Sequence, residues 1–184
     1  FPNPDLKPEA SDSSEGGSRI ASGPVTGSIT AFTGRYKNFI SQEQVGGTGT
    51  VADPIIFQFI NLATAKIHGA EARFGVQPVQ GVSLDAAVAW AKGTTDRDGV
   101  EAPLESIDPI KFVLGAGWDD SQQRFGGRVN ATFAGQKEAR LTTYLPSDAY
   151  TVIDITAYAR LGDMFTLRAG VFNLFDAKYI EWAD

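Results

Sequence analysis

Five separate stretches of this chain alternate polar and apolar residues with a period of two, and that regularity limits the fold more than any other feature. In VSLDAAVAWAK, Val82, Leu84, Ala86, Val88 and Trp90 take one side, and Ser83, Asp85, Ala87, Ala89 and Ala91 take the other. In KFVLGAGWDD, Phe112, Leu114, Ala116 and Trp118 oppose Lys111, Val113, Gly115, Gly117 and Asp119. RFGGRVNATFAGQ sets Phe125, Val129, Ala131 and Phe133 against Arg128, Asn130, Thr132 and Gln136. TVIDITAYARL sets Ile153, Ile155, Ala157, Ala159 and Leu161 against Asp154, Thr156, Tyr158 and Arg160. FTLRAGVF sets Phe165, Leu167, Ala169 and Val171 against Thr166, Arg168 and Gly170. On a helix the polar set of each stretch would wrap around the whole circumference. In a strand, successive side chains point to opposite faces, so each stretch gains one clean apolar side.

Earlier strands are expected at 11–21, 26–41 and 57–77, the last with Ala70, Ala72, Phe74 and Val76 opposing Glu71, Arg73 and Gln77. The expectation is an all-β chain of about eight strands with no helix. Its connections also alternate. Short ones fall near 22–24, 78–81, 120–123 and 162–163, and long polar ones near 42–56, 93–104 and 136–149. An antiparallel sandwich would alternate its residues equally well, but has no reason to collect all its long loops at one end. Outer-membrane barrels do collect them there, and strands of about ten residues suit a tilted crossing of the hydrocarbon layer. Trp90, Trp118, Phe125 and Phe165 lie near strand ends, where such barrels place aromatic girdles.

Composition removes several function classes. With no cysteine there is no disulfide framework, thiol enzyme or thiolate metal site. A net charge of -6 argues against nucleic acid as a partner, because phosphate binding needs a basic surface. No apolar run of about 18 residues is present, which excludes a spanning helix and leaves a spanning barrel open. The opening FPNPDLKPEASDSSEGG has neither a basic nor an apolar leader region, so a signal peptide is expected to be absent or already removed.

Three stretches resemble TonB-dependent outer-membrane transporters. NPDLKPEASDSSEGGSR resembles the segment that in that family reads Asn-Pro-x-Leu-Lys-Pro-Glu before a Glu-x-Gly strand. FTGRYKNFI, followed by FQFINLATAKIHGAEARF, resembles the next strand pair, and GVFNLFDAKYIEWAD the penultimate strand with its Asn-Leu-Phe-Asp-x-Lys-Tyr block. Together they cover nearly the whole chain, in order. Within the family the nearest resemblance is to haem and haemoglobin receptors. Their NPNL or NPDL box is matched by Asn3, Pro4, Asp5 and Leu6, and their aromatic ending by Tyr179, Trp182 and Asp184. Siderophore receptors share the Asn-Leu-Phe-Asp block, which therefore does not discriminate.

The resemblance implies an antiparallel transmembrane β-barrel segment, about eight strands of a barrel of about 22. Residues 1–184 are then expected to be the C-terminal portion of such a barrel, with the plug domain, the first strands and the last strand lying outside them. It implies the Gram-negative outer membrane as location. The implied partners are the remainder of the receptor including its plug, TonB acting through the plug, outer-membrane lipid, and a haem, haemoprotein or ferric-siderophore ligand. Haem would be cargo, with no resident cofactor, and transport breaks no bond, so no enzyme is expected. The expected function is iron acquisition by haem or haemoglobin uptake. The alternatives are a ferric-siderophore or other nutrient receptor and, from another class, a passive eight-stranded channel or structural barrel.

Candidate functional residues fall in two groups. Glu71, Arg73, Asp85, Lys111, Arg128, Asp154, Arg160 and Arg168 share the polar parity of their strands and are expected to face the lumen and plug. Facing lipid at mid-bilayer, such a charge would cost about 2–4 kcal/mol. In the connection 136–149, Lys137, Arg140 and Tyr144 are expected to face ligand and to suit anionic groups such as haem propionates. His68, the single histidine, is of a type that binds iron, yet its parity places it with Ala70, Ala72 and Phe74 on the lipid side. TDRDG lacks the downstream ligands of a calcium loop, and VGGTGT lacks the Lys-Ser or Lys-Thr of a phosphate cradle. Asp119 and Asp120 belong to a short turn rather than to a catalytic pair, and His68 has no identifiable partner for hydrolase chemistry.

Overall fold

The structure, a computed structural model, describes residues 2–61, 64–97, 99–138, 145–162 and 164–182. Among them are eleven strands: β1 (Ala10–Ser22), β2 (Val25–Lys37), β3 (Ile40–Gly46), β4 (Ile56–Asn61), β5 (Thr64–Val76), β6 (Val82–Arg97), β7 (Val100–Pro103), β8 (Lys111–Asp119), β9 (Phe125–Ala134), β10 (Tyr150–Leu161) and β11 (Phe165–Val171). No helix long and apolar enough to cross a membrane occurs among the described residues. One sheet runs β1-β2-β5-β6-β8-β9-β10-β11, eight strands in sequence order, with β7 folded back on β6; β3 and β4 pair separately.

Two strands differ from the expectation. The stretches 26–41 and 57–77 were each expected to be one strand, but β2 gives way to β3 at Asn38, and β4 is separate from β5. Asn38 has φ 53°, a left-handed backbone that breaks a ladder and that asparagine tolerates better than most residues. The long connections near 42–56 and 93–104 accordingly carry hairpin strands of their own. The short connections stay tight through left-handed residues. Gly81 has φ 80°, and a Cβ there would collide with the Asp119 carbonyl oxygen.

The chain divides into two compact units. One contains Phe1–Glu15, Phe32–His68 and Lys92–Leu104; the other contains Gly16–Ala31, Gly69–Ala91 and Glu105–Asp184. In the second unit the ladder register sorts most side chains by face. Val88 lies opposite Phe112 and Leu84 opposite Ala116; Phe112 lies opposite Phe133 and Leu114 opposite Ala131. Ile155 lies opposite Val129 on one side and Val171 on the other. These residues share one face, and it remains open: Leu114 is 41% and Leu167 63% exposed. Among the described residues only Ala65, Leu104, Ala134 and Trp182 are buried apolar side chains. The sheet is therefore held chiefly by its backbone ladder, with its apolar side turned outward, the arrangement a hydrocarbon solvent demands.

Candidate functional site

In the first unit the extended segment 2–9 is fastened to the β3–β4 hairpin by asparagines acting as backbone substitutes. Asn61 accepts from the Lys7 N–H at 2.7 Å through Oδ1, and its Nδ2 donates to the carbonyls of Lys7 at 2.9 Å and Asn38 at 2.7 Å. One side chain thus pairs both groups of a residue, as a neighbouring strand would. Asn3 accepts from the Asp5 N–H at 3.0 Å and donates to the Phe59 carbonyl at 2.9 Å. Asn38 Nδ2 reaches the Pro8 carbonyl at 3.3 Å, and Glu9 Oε1 accepts from the Ile40 N–H at 2.8 Å. The box Asn3-Pro4-Asp5-Leu6 is thus part of a clip, and both ends of its asparagine amide are engaged.

In the second unit the face opposite the apolar one is built in matched rows. Asp85, Gly115, Asn130 and Asp154 stand in register across four strands. Arg128 Nη2 makes an ion pair with Asp85 Oδ1, and its Nε donates to Asn130 Oδ1 at 2.8 Å. Residue 115 is glycine for a reason visible here: a Cβ would lie 2.6 Å from Asp85 Oδ2, in the path of that pair. Two rows along, the Tyr158 hydroxyl donates to Asp119 Oδ1 at 2.7 Å across Gly126, and Arg168 stands opposite Tyr158. A concavity of about 520 Å³ opens here, lined among others by Ser83, Asp119, Arg128, Tyr158 and Arg168. Arg168 forms no ion pair with any described residue.

The other expected inward charges fall on the same kind of face. Lys111, aligned with Ala134, meets Asp108 at 3.4 Å. Asp154 Oδ1 accepts from the Asn173 N–H at 2.8 Å, and Arg160 lies 5.9 Å from the Tyr158 ring. For Glu71 and Arg73 the guide is Gly75, where a Cβ would lie 2.8 Å from Thr26 Oγ1. By alternation Glu71 and Arg73 project to the Thr26 side, and His68 and Phe74 to the other.

Lys137 is engaged differently from the expectation that it faces ligand. Its ammonium donates to the carbonyls of Glu105, at 3.1 Å, and Ile107, and lies 4.5 Å from the Trp182 ring. Burial draws its pKa below the ordinary lysine value, against the opposing pull of Glu105 and Asp108. Two carbonyl acceptors and an indole face thus engage this cation within the chain. Arg140, Tyr144 and Asp184 lie outside the described residues. Asn61, Tyr158 and the pairing of Lys137 with Trp182 were given no role in the sequence reading. The available signal was an asparagine inside a strand, where its β-propensity is poor.

At the short-connection end, Trp118 and Phe125 pack on the apolar face with ring centres 5.7 Å apart. Beside them desolvation opposes ionisation of Asp120, but hydrogen bonds from Arg124 and the Gln122 N–H hold its carboxyl below the usual range. Among the described residues no group of three or more His, Asp or Glu could hold a metal ion.

Residues 1–174 match the family described as TonB dependent receptor-like, beta-barrel. The chain belongs to that family. Over 99% of its length it is 27% identical to the probable hemoglobin and hemoglobin-haptoglobin-binding protein 4 of Haemophilus influenzae, of which it covers 21%. Over 98% it is 25% identical to the hemoglobin-haptoglobin utilization protein B of Neisseria meningitidis serogroup C, covering 26%. The chain thus spans only about a fifth to a quarter of the length of these relatives. Among solved structures, the copper transporter OprC superposes with a TM-score of 0.85 at 21% identity, over 97% of this chain and 27% of that one. The FrpB iron transporter of Neisseria meningitidis (F3-3 variant) gives 0.73 at 14% identity, over 98% and 28%. These likenesses establish the fold: an antiparallel section of a TonB-dependent receptor barrel. Its edge strands β1 and β11 are exposed along their whole length, and in a closed barrel such edges are paired.

Proposed function

We propose that this chain is a section of an outer-membrane receptor that acquires iron by taking up haem from haemoglobin or a related haemoprotein. The observation that carries the reading is the alignment of 98–99% of the chain with proteins named for binding haemoglobin and haemoglobin-haptoglobin. In this reading the exposed apolar face of β6–β11 meets lipid. The Asp85–Arg128 face, with Glu71, Arg73, Lys111, Asp154, Arg160 and Arg168, meets a wet lumen and the plug. Ligand binds at the long-connection end, where Arg140 and Tyr144 meet its anionic groups. A periplasmic TonB partner then acts on the plug, and no covalent bond is broken.

The test is growth of an iron-starved strain whose only outer-membrane iron receptor is the complete protein. Growth on haemoglobin, with binding of labelled haemoglobin to whole cells, is the expected result. Growth on a ferric siderophore but not on haemoglobin would replace the ligand and leave the fold untouched.

A further inference from the structure

Three parts of the chain far apart in sequence, Glu105 with Ile107, Lys137 with Ser147, and Ile180 with Trp182, meet at Lys137. Its backbone pairs with Ser147 in both directions, at 2.8 and 3.0 Å. The side chain then leaves that pair to reach the Glu105 and Ile107 carbonyls and the Trp182 ring. Trp182 adds its own link, donating from Nε1 to the same Glu105 carbonyl. On the other side the Ser147 hydroxyl donates to the Ile180 carbonyl at 2.9 Å, and Tyr150 stacks on Tyr179 with ring centres 4.2 Å apart. Ser147 is 1% and Trp182 7% exposed, so the junction is packed and not a chance meeting of surface groups.

The chemistry of the fastener is unusual. Even a half-buried ammonium loses hydration and favours satisfied donors. No carboxylate among the described residues makes an ion pair with this one; carbonyl dipoles and an indole face stabilise the charge instead. An ammonium carries three donors on one atom, so it can grip two carbonyls of one segment and still face a ring on another. A hydroxyl, with a single donor, could not grip both carbonyls.

We propose that Lys137 is a positioning residue that locks Glu105 and Ile107, Ser147, and Trp182 into one junction assembled before ligand arrives. The proposal rests on the reading of a haemoprotein receptor only for its ligand readout; the lock itself is observable without ligand. The experiment uses the complete receptor in outer-membrane vesicles, with Lys137→Met, Lys137→Arg and Trp182→Phe. One readout is chymotrypsin cleavage mapped to 138–146, where Leu141 and Tyr144 offer sites. The other is the association and dissociation rates of haemoglobin.

Lys137→Met is expected to speed that cleavage by about tenfold and to slow association by about tenfold, with dissociation changed by no more than about twofold. Lys137→Arg should restore most of both. Trp182→Phe should act in the same direction with a smaller effect, and it carries the test if Lys137→Met does not reach the membrane. Unchanged cleavage and association in Lys137→Met and Trp182→Phe would overturn the lock. Faster cleavage with unaltered association would overturn the positioning role. If wild-type receptor ignores haemoglobin while Lys137→Met is still cleaved faster, the lock stands and the proposed ligand falls.

Discussion

On one face of β6, β8, β9, β10 and β11, apolar residues meet apolar residues across every ladder: Val88 faces Phe112, Phe112 faces Phe133, and Ile155 faces Val129 and Val171. On the other face, built by the same strands, Arg128 and Tyr158 are each matched to a particular partner across a glycine. Arg128 reaches Asp85 over Gly115, and Tyr158 reaches Asp119 over Gly126. An apolar side chain in hydrocarbon needs only to be apolar, so the first face tolerates exchange. A charge in a partly wet interior needs a partner and a clear path to it, so the second face is specific residue by residue.

The sharpest way to break this contrast is one charge placed on each face of a single strand. Leu114 and Val113 are neighbours near the middle of β8 with opposite parity. Leu114→Arg should cost the complete barrel about 2–4 kcal/mol, as a cation facing lipid near mid-bilayer does. Val113→Arg should cost far less. The measurement is folding stability of the complete barrel in lipid vesicles; equal costs would mean that the faces are not lipid and lumen.

A smaller effect tests whether matched partners matter away from both faces. Asn61→Ala leaves the Lys7 N–H and the Asn38 carbonyl without their amide partner. Because these groups are largely open to water, the expected loss is about 1 kcal/mol, with faster exchange of the Lys7 amide hydrogen. Protection of that amide equal to wild type would show that the segment 2–9 is held by something else.

Smaller again is the ion pair itself. Arg128 and Asp85 are each more than a third exposed, so solvent screens them. A double-mutant cycle with Asp85→Asn and Arg128→Met should give a coupling of about 0.5–1 kcal/mol. Repeating the cycle in Gly115→Leu should bring it to zero, because the added side chain occupies the crossing. A coupling that survives in Gly115→Leu would refute the role given to that glycine.

The strands and their parity were legible in the sequence because alternation is a property of single residues and their neighbours. The Leu114/Gly115 and Ile155/Asp154 assignments needed nothing else. The break at Asn38 was not legible, since it depends on one left-handed φ inside a pattern that otherwise continues. The site was less legible still. Lys137 reads as a loop cation open to ligand until the fold brings Glu105, Ile107 and Trp182 to it, from 32, 30 and 45 residues away in sequence. The box Asn3-Pro4-Asp5-Leu6 was visible as a motif. Its use as a clip depends on Phe59, 56 residues away.

A pH experiment probes the boundary where the two faces meet the short connections. Asp120 has its carboxyl held below the ordinary 3.8 by Arg124 and the Gln122 N–H, with desolvation opposing. A carboxylate with a depressed folded pKa contributes stability that is fully present above its unfolded pKa and is lost as pH falls through the folded value. The small extra stability of wild type over Asp120→Asn should therefore be constant at neutral pH and vanish only below 3.8. A difference that disappears nearer neutrality would assign the titration to another group.

The smallest effect is expected at His68, and it is informative because the residue type invites the opposite guess. Counting back from Gly75, whose Cβ position would meet the Thr26 hydroxyl, odd-numbered residues of β5 take the polar side, and His68 stands with Phe74 on the apolar one. In the proposed reading that side of β5 meets lipid, so the imidazole is not expected to reach a haem iron. His68→Tyr keeps an aromatic body with a polar tip, which suits a side chain near a lipid boundary. Stability should stay within about 0.5 kcal/mol of wild type. Haemoglobin binding and haem-supported growth should be unchanged. Loss of haem-supported growth in His68→Tyr, with the barrel still assembled, would place the imidazole on the ligand path. It would then reverse the parity of β5, and with it the inward assignment of Glu71 and Arg73, while leaving the directly registered faces of β6 to β11 as they are.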